Sequence, residues 1–206
     1  MKKVTIKQVL ILLICVLCMQ NYLFAQLTSA EKLAKNKARP EAQKLSRQYI
    51  KQGWKVADDI NDFRDYLQTA LAKTHLLKNG KPRYFIVEAI SAGDPLELAK
   101  QKLAKQIQKK LTPGIISKAT DNNIDTEKLA EVVNSASLID VIAAGLGNVT
   151  TDFEMFHEIR GTKKIKKSIR VSISTIEGIE IGRKIIKQEI KEKMNLSDDD
   201  LKNLGF

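Results

Sequence analysis

The chain has 206 residues, 35 Lys and Arg against 24 Asp and Glu, and a formal net charge of +11. A charged fraction of 29% beside an aromatic fraction of 5% suits a helical, well-solvated protein and argues against a carbohydrate-binding β-sandwich. Both cysteines, Cys15 and Cys18, lie near the N-terminus, so the remaining chain has no disulfide, thiolate metal site or cysteine nucleophile.

Residues 1–25 have the pattern of an export signal. Lys2, Lys3 and Lys7 form a cationic head, an apolar run from Val9 to Cys18 follows, and Leu23-Phe24-Ala25 ends on a small residue. Leu23, two places before the cut, is larger than usual there. Two rival readings are an uncut membrane anchor and lipid attachment at Cys15 or Cys18. A spanning helix needs about 20 apolar residues, and Gln20 and Asn21 interrupt this run. Ile14 and Leu17 stand where lipid-processing enzymes need a small residue. The expectation is an exported protein, periplasmic or outer-membrane associated, that begins at Gln26. It keeps a charge of +8, because the leader holds three lysines and no acid. Outside the cytoplasm the natural polyanions are lipid headgroups, lipopolysaccharide and acidic cell-wall polymers, not nucleic acid. Lysines spread along helix faces also serve solvation alone.

Residues 26–80 read as a helical arm. Thr28 with Glu31 is a capping-box pattern, and Pro40 breaks the helix and restarts it over Glu41 to Gln52. Ala42, Leu45 and Tyr49 mark the apolar side, and Gly53 is the C-cap. Trp54-Lys55-Val56 is a short extended stretch. A second helix is expected after Asp58 or Asp59, with Ile60, Phe63, Leu67, Ala70, Thr74 and Leu77 at helical spacing and Asn79-Gly80-Lys81-Pro82 as its end.

Residues 81–206 read as an α+β domain. Tyr84 to Ala92 is a strand whose apolar run suggests burial on both faces. Asp94-Pro95-Leu96-Glu97 then supplies an N-cap, a first-turn proline and an acid, opening a helix with Leu96, Ala99, Leu103, Ile107 and Leu111 on one stripe and Pro113-Gly114 as its stop. One further helix is expected over Thr126 to Ala144, through Leu129, Val132, Val133, Ala136, Ile139 and Ala143. Period-two alternation over Asp152 to Arg160 and Ser168 to Ser174 predicts an antiparallel hairpin with one wet face. Ser174 with Glu177 opens the last long helix, with Ile179, Gly182, Ile186 and Ile190 inward, and a short turn from Ser197 to Leu204 follows. The architecture expected is a small antiparallel or mixed three-stranded sheet with helices packed on one face, preceded by the arm.

Few residues point to chemistry. His157, beside Met155 and Ile159, reads as a core or sheet-edge histidine, and His75 as a surface residue near a helix end. Asp152, Glu154 and Glu158 share a strand face, and Lys166 or Arg170 opposite can neutralise them. Asp198-Asp199-Asp200 lacks the ligand spacing of a calcium loop and suits a helix N-terminus. Gly145-Leu146-Gly147 follows a helix and does not open one, as a phosphate loop must. No catalytic, cofactor or metal constellation is expected. The anionic-ligand candidates are Lys163, Lys164, Lys166, Lys167, Arg170, Arg183, Lys184 and Lys187, which form one basic patch if the hairpin and last helix meet.

Tyr84 to Thr175 resembles the envelope-associated LPP-twenty lipoproteins and, more loosely, the N-terminal domain of flagellar assembly protein T. The likeness lies in a strand ending at Ala92-Gly93 and in the helix segment Leu98-Ala99-Lys100-Gln101-Lys102-Leu103-Ala104. It continues in the strand around Phe153 to Phe156 and in Ile169-Arg170-Val171-Ser172-Ile173. The Gly53-Trp54-Lys55-Val56 element is similar to one in uncharacterised secreted Gram-negative proteins. The resemblance implies a non-enzymatic protein; the shortage of chemistry beside capping signals and periodic cores adds the expectation of an envelope protein acting as an interaction or assembly module, without cofactors, whose partner is an envelope protein or an anionic envelope surface, with peripheral membrane association. Two alternatives stand beside it: a salt-sensitive binder of anionic lipid, lipopolysaccharide or cell-wall polymer using the lysines, and a hydrolase using Glu154, Glu158 or His157.

Overall fold

The computed structural model describes residues 6–56, 62–159, 161–162 and 164–206, with side chains described from residue 29 onward. The expected helix start after Asp58 or Asp59 and the cation Lys163 lie outside the described residues.

A 46-residue helix, α1 (Ile6–Lys51), comes first and runs through both Thr28 and Pro40. The expected start at Thr28 and break at Pro40 are thus overturned. No glycine or proline precedes Pro40 to interrupt the helix. At Pro40, packing outweighs the local cost of a mid-helix proline, about 3 kcal/mol. Ala34, Ala38 and Ala42 form a buried stripe on one face, while Pro40 is exposed, so the carbonyl it leaves unbonded can face water. Gly53 closes the helix as expected. Its φ is +81°, and Gly53 N–H and Trp54 N–H donate at 3.0 Å to the Ile50 and Tyr49 carbonyls. Trp54-Lys55-Val56 then supplies a two-residue strand, β1 (Lys55–Val56).

Helix α2 (Phe63–Ala72) is capped by Asp62 and gives way to a 3₁₀ turn (Lys73–His75) and a small hairpin, β2 (Leu77–Lys78) with β3 (Lys81–Pro82). The apolar spacing therefore ends before Thr74 and Leu77. The hairpin chemistry of Asn79-Gly80, both at positive φ, takes over from helical periodicity. His75 is half-buried, with Nε2 shielded from solvent, so it is not the surface residue expected.

Strand β4 (Tyr84–Ser91) pairs antiparallel with β6 (Ile165–Ser174), which pairs antiparallel with β5 (Thr150–Glu158), and β1 joins the far side of β5. The order β1-β5-β6-β4 makes β4 an edge strand, which corrects its expected burial on both faces: Val87 and Ala89 are buried, Ile90 is exposed. Lys102 and Gln106 of helix α3 (Pro95–Asp121) donate to the outward carbonyls of Glu88 (2.7 Å) and Ile86 (3.3 Å), so side chains cover part of this edge.

Asp94 caps α3, accepting from Leu96 N–H and Glu97 N–H, with Pro95 in the first turn. The expected stop at Pro113-Gly114 is overturned for the same reason as at Pro40. Pro113 is on the exposed face, while Leu111, Ile115 and Ala119 carry the buried stripe past it. Conversely, the single helix expected over Thr126 to Ala144 is two, α4 (Thr126–Val133) and α5 (Ala136–Gly145). Ser135 caps α5 through Leu138 N–H, and the buried Gln108 amide donates to the carbonyls of Val133 (2.9 Å) and Ser135 (3.3 Å). Those bonds satisfy the backbone at the break. Ala136 is consequently exposed.

Helix α6 (Thr175–Met194) buries Gly178, Gly182, Ile186 and Ile190; Ser174 stands at its N-cap without a side-chain cap bond. The chain ends in α7 (Asp198–Asn203), where the acidic run serves the helix N-terminus. Ser197 Oγ accepts from Asp200 N–H at 3.1 Å, and Asp200 Oδ2 accepts from the Ser197 hydroxyl at 2.6 Å and its N–H at 3.0 Å. The Ser197 hydroxyl first, then its N–H, holds the Asp200 carboxyl below its ordinary value. A folded-state value below the unfolded 3.8 lends stability that is present above 3.8 and lost as pH falls through the folded value. We therefore expect α7 to fray in acid before the rest of the molecule does. NMR of the Leu201 and Leu204 amides on titration past 3.8 checks this, and unchanged amides would contradict it.

The result is an α+β fold with an antiparallel sheet covered on both sides. Helices α3 to α6 pack on one face, in a core of Val87, Ala89, Ile169, Val171 and Ile173 with Leu103 and Ile107. The arm covers the other, where Ala34, Ala38, Phe63 and Leu67 meet Phe153 and Met155. The register sets Phe153 opposite Arg170 and Glu154 opposite Ile169. The apolar sets of the two hairpin strands therefore point to opposite sides, and the expected single wet face does not exist.

Candidate functional site: a buried polar seam between arm and sheet

The arm-facing side of β6 carries Ser168, Arg170 and Ser172, exposed by only 2%, 7% and 1%. Polar groups so enclosed need partners. The 3₁₀ turn and the neighbouring strands supply partners for Ser172 and for both Nη atoms of Arg170, while Arg170 Nε and Asp152 Oδ2 are buried without one.

A β-bulge between Thr151 and Phe153 turns Asp152 toward the arm, away from Glu154 and Glu158. Ser172 Oγ donates to Asp152 Oδ1 at 2.9 Å. Lys73 Nζ donates to Ser172 Oγ, also at 2.9 Å, and pairs with the same carboxylate oxygen. The Asp152 side chain is 1% exposed and that of Lys73 26%. The ammonium also lies 5.3 Å from the centroid of the Tyr84 ring. Two residues along β6, Arg170 Nη1 donates to Glu88 Oε1 across the ladder at 2.6 Å, and Nη2 donates to Thr74 Oγ1 at 2.6 Å. Burial first, and the Glu88 carboxylate next, push the Tyr49 phenol above its ordinary value. At the β1 end, Trp54 lies against His157 at 5.4 Å with the rings tilted by 39°, and Tyr49 meets Trp54 and Phe63 at 6.4 and 6.3 Å. A Cβ on Gly53 would sit 3.4 Å from the half-buried His157 ring.

A serine beside a lysine is the pattern of a nucleophile with its base, which requires a neutral amine and room for substrate. Here the amine is ion-paired to Asp152, the serine proton points at the same carboxylate, and Ser172 lies under the arm in an interior strand. The arrangement is suited to fastening two layers together.

The remaining sequence candidates are dispersed. Lys164, Lys166 and Lys167 are exposed at the tip of the β5–β6 hairpin, and Lys167 pairs with Glu154 at 3.4 Å. Arg170 is buried in the seam and cannot serve a surface patch. Arg183, Lys184 and Lys187 are exposed on α6, which starts at the opposite end of β6. Seven residues of strand separate Lys167 from that end, about 23 Å. From there α6 leads away: Gly182 lies over Leu111, and Arg183 borders Gly114 and Lys118. The structure does not bring these cations together. The acids on β5 are neutralised, but by partners other than Lys166 and Arg170: Lys73 for Asp152, Lys167 for Glu154, and Lys55 for Glu158 at 3.2 Å.

Sequence reasoning missed Lys73, Thr74 and Glu88. The available signal was Arg170 between two β-branched apolar residues in an interior-type strand, beside an arm whose alanine stripe needed a surface. Among the described residues, no three His, Cys, Asp or Glu side chains are grouped to hold a metal ion, and no helix is long and apolar enough to cross a membrane. No protein-family model matches the chain, and no curated protein or solved structure shows significant similarity to it.

Proposed function

We propose that this chain is a non-catalytic, exported cell-envelope protein that acts as an interaction or assembly module, in keeping with its resemblance to the LPP-twenty lipoproteins. The observation that carries the reading is the seam: the chain's most convergent polar side chains join its arm to its sheet under cover. What remains for function is the outer surface, which presents exposed apolar side chains such as Leu33 and Ile50 on the arm beside many lysines. Envelope fractionation, chemical cross-linking in cells and sizing of the purified chain test it. A retained partner or a defined oligomer is the expected result, and a strictly monomeric chain that cross-links to nothing in the envelope would overturn it.

A second reading, peripheral binding to an anionic envelope surface, is favoured by the cations that lie outside ion pairs among the described residues. Its signature is binding that falls steeply with salt.

A further inference from the structure

The order β1-β5-β6-β4 leaves the sheet one long free edge among the described residues, the eight residues of β4. On the other side β1 offers only two residues, and along β5 the Glu154 N–H already donates to the Tyr66 hydroxyl at 2.9 Å. In an antiparallel strand the N–H and C=O of one residue point to the same side. The outward carbonyls of Ile86 and Glu88 therefore mark Ile86, Glu88 and Ile90 as the residues whose backbone faces away from β6. The carbonyls of Ile86 and Glu88 are met only by the side chains of the exposed residues Gln106 and Lys102. The three N–H groups have no hydrogen-bond partner among the described residues.

Free backbone of this kind accepts another strand. What that strand must carry follows from its surroundings. Ile86 and Glu88 form one wall of an open groove of about 490 Å³, and Lys102, Lys105, Gln106 and Lys109 of α3 form the other. None of these three lysines is in an ion pair among the described residues. Unpaired cations stand elsewhere on the surface too, so charge alone singles out nothing; among the described residues, only here do they flank a long free strand edge. Of the acids nearby, Glu88 is taken by Arg170 at 2.6 Å, and Asp140 of α5 borders Lys102 and Lys105 without pairing with either. A strand laid along β4 would turn alternate side chains toward the lysines. The others would lie beside Ile86 and the exposed Ile90, on the face opposite Val87 and Ala89. The occupant that fits alternates acidic and apolar residues. A second copy of this chain does not fit, because edge-to-edge pairing would set the same lysines against each other.

We propose that β4 and α3 form a docking groove for an extended acidic segment of a partner protein, which adds to the sheet as a further strand while its carboxylates meet Lys102, Lys105 and Lys109. Lys102 and Gln106 hold the two carbonyls until the partner's N–H groups replace them. The assignment rests on the interaction-module reading and gives it a partner chemistry.

The test uses the protein as purified from cells and a fluorescent peptide of the length of β4, eight residues alternating Glu and Val, with anisotropy as the readout. Hydrogen exchange of the Ile86, Glu88 and Ile90 amides should slow when the peptide saturates the protein. Lys105→Glu/Lys109→Glu should weaken binding at least about tenfold, and Lys32→Glu/Lys44→Glu on the arm should change it less than about twofold, all four positions being exposed. Ile90→Pro removes an edge N–H and no ladder bond, and should weaken binding at least about fivefold with every lysine in place. A peptide alternating Lys and Val should not bind. Binding that leaves the three amides unprotected would reduce the groove to charge alone and overturn strand addition. Failure of the Glu-Val peptide to bind would overturn the groove and leave its lysines as guards of the edge. A chain carrying Lys105→Glu/Lys109→Glu with Ile90→Pro that still cross-links to its envelope partner would reject the groove while the interaction-module reading stands. A parent chain that cross-links to nothing would reject that reading itself.

Discussion

Gly182→Val should destabilise the protein by about 3 kcal/mol, the upper end for forcing extra carbons into a packed core. Gly178 and Gly182, one turn apart on α6, let that helix lie directly on α3. A Cβ at Gly182 would overlap the Ile107 Cγ2 methyl and come within 2.9 Å of Leu111 Cδ1. Ile107 is fully buried and β-branched, so its methyl cannot swing aside as the tip of a long side chain would. Gly182→Ala should cost less, about 1 kcal/mol, because alanine regains roughly 1 kcal/mol of helix propensity against the same strain. Replacing Ile107 by Leu removes the offending branch, so Ile107→Leu combined with Gly182→Ala should recover most of that loss. Urea denaturation reads all three values. A Gly182→Val protein as stable as the parent would mean that the helices do not approach as closely as the structure places them.

The parts of the fold legible in the sequence are those set by local chemistry. Asp94-Pro95, the acidic run Asp198-Asp199-Asp200 at a helix N-terminus, and Gly53 are read correctly because each depends on a few neighbouring atoms, whereas α1 runs through Thr28 and Ser174 makes no side-chain cap bond. The hairpin strands are legible because period two survives any tertiary context. What was not legible is decided at long range. Pro40 and Pro113 are helix breakers by propensity, yet each faces solvent while an alanine- or isoleucine-bearing stripe packs on the far side. Asn134-Ser135 contains no strong breaker, yet the helix divides there, because Gln108, 25 residues or more away in sequence, offers its amide to the freed carbonyls. The seam was hidden for a further reason. Ser168, Arg170 and Ser172 alternate with apolar residues as a wet strand face would, and only the arm's position distinguishes solvent from a buried polar layer.

Breaking that layer at its most enclosed member tests whether it holds the arm in place. Asp152→Ala leaves the Lys73 ammonium facing the sheet without its counter-charge and Ser172 without its acceptor, and should cost about 3 kcal/mol. Lys73→Ala leaves the carboxylate unpaired at 1% exposure and should cost a similar amount. The double variant should cost clearly less than the two singles together, with a coupling of about 2 kcal/mol, because removing one partner already forfeits the pair. A purely local role for Asp152 in the β5 bulge predicts additive losses instead. The location of the damage separates the possibilities further. If the seam fastens the arm, hydrogen exchange in Asp152→Ala should rise first in α2 and in residues 34–49 of α1, where the arm buries its stripe on Phe153 and Met155. The amides of α3 and α6, which belong to the other core, should keep their protection until global unfolding. Uniform loss of protection across both layers would show that arm and sheet unfold as one unit, and that the seam does not act as a fastening between two.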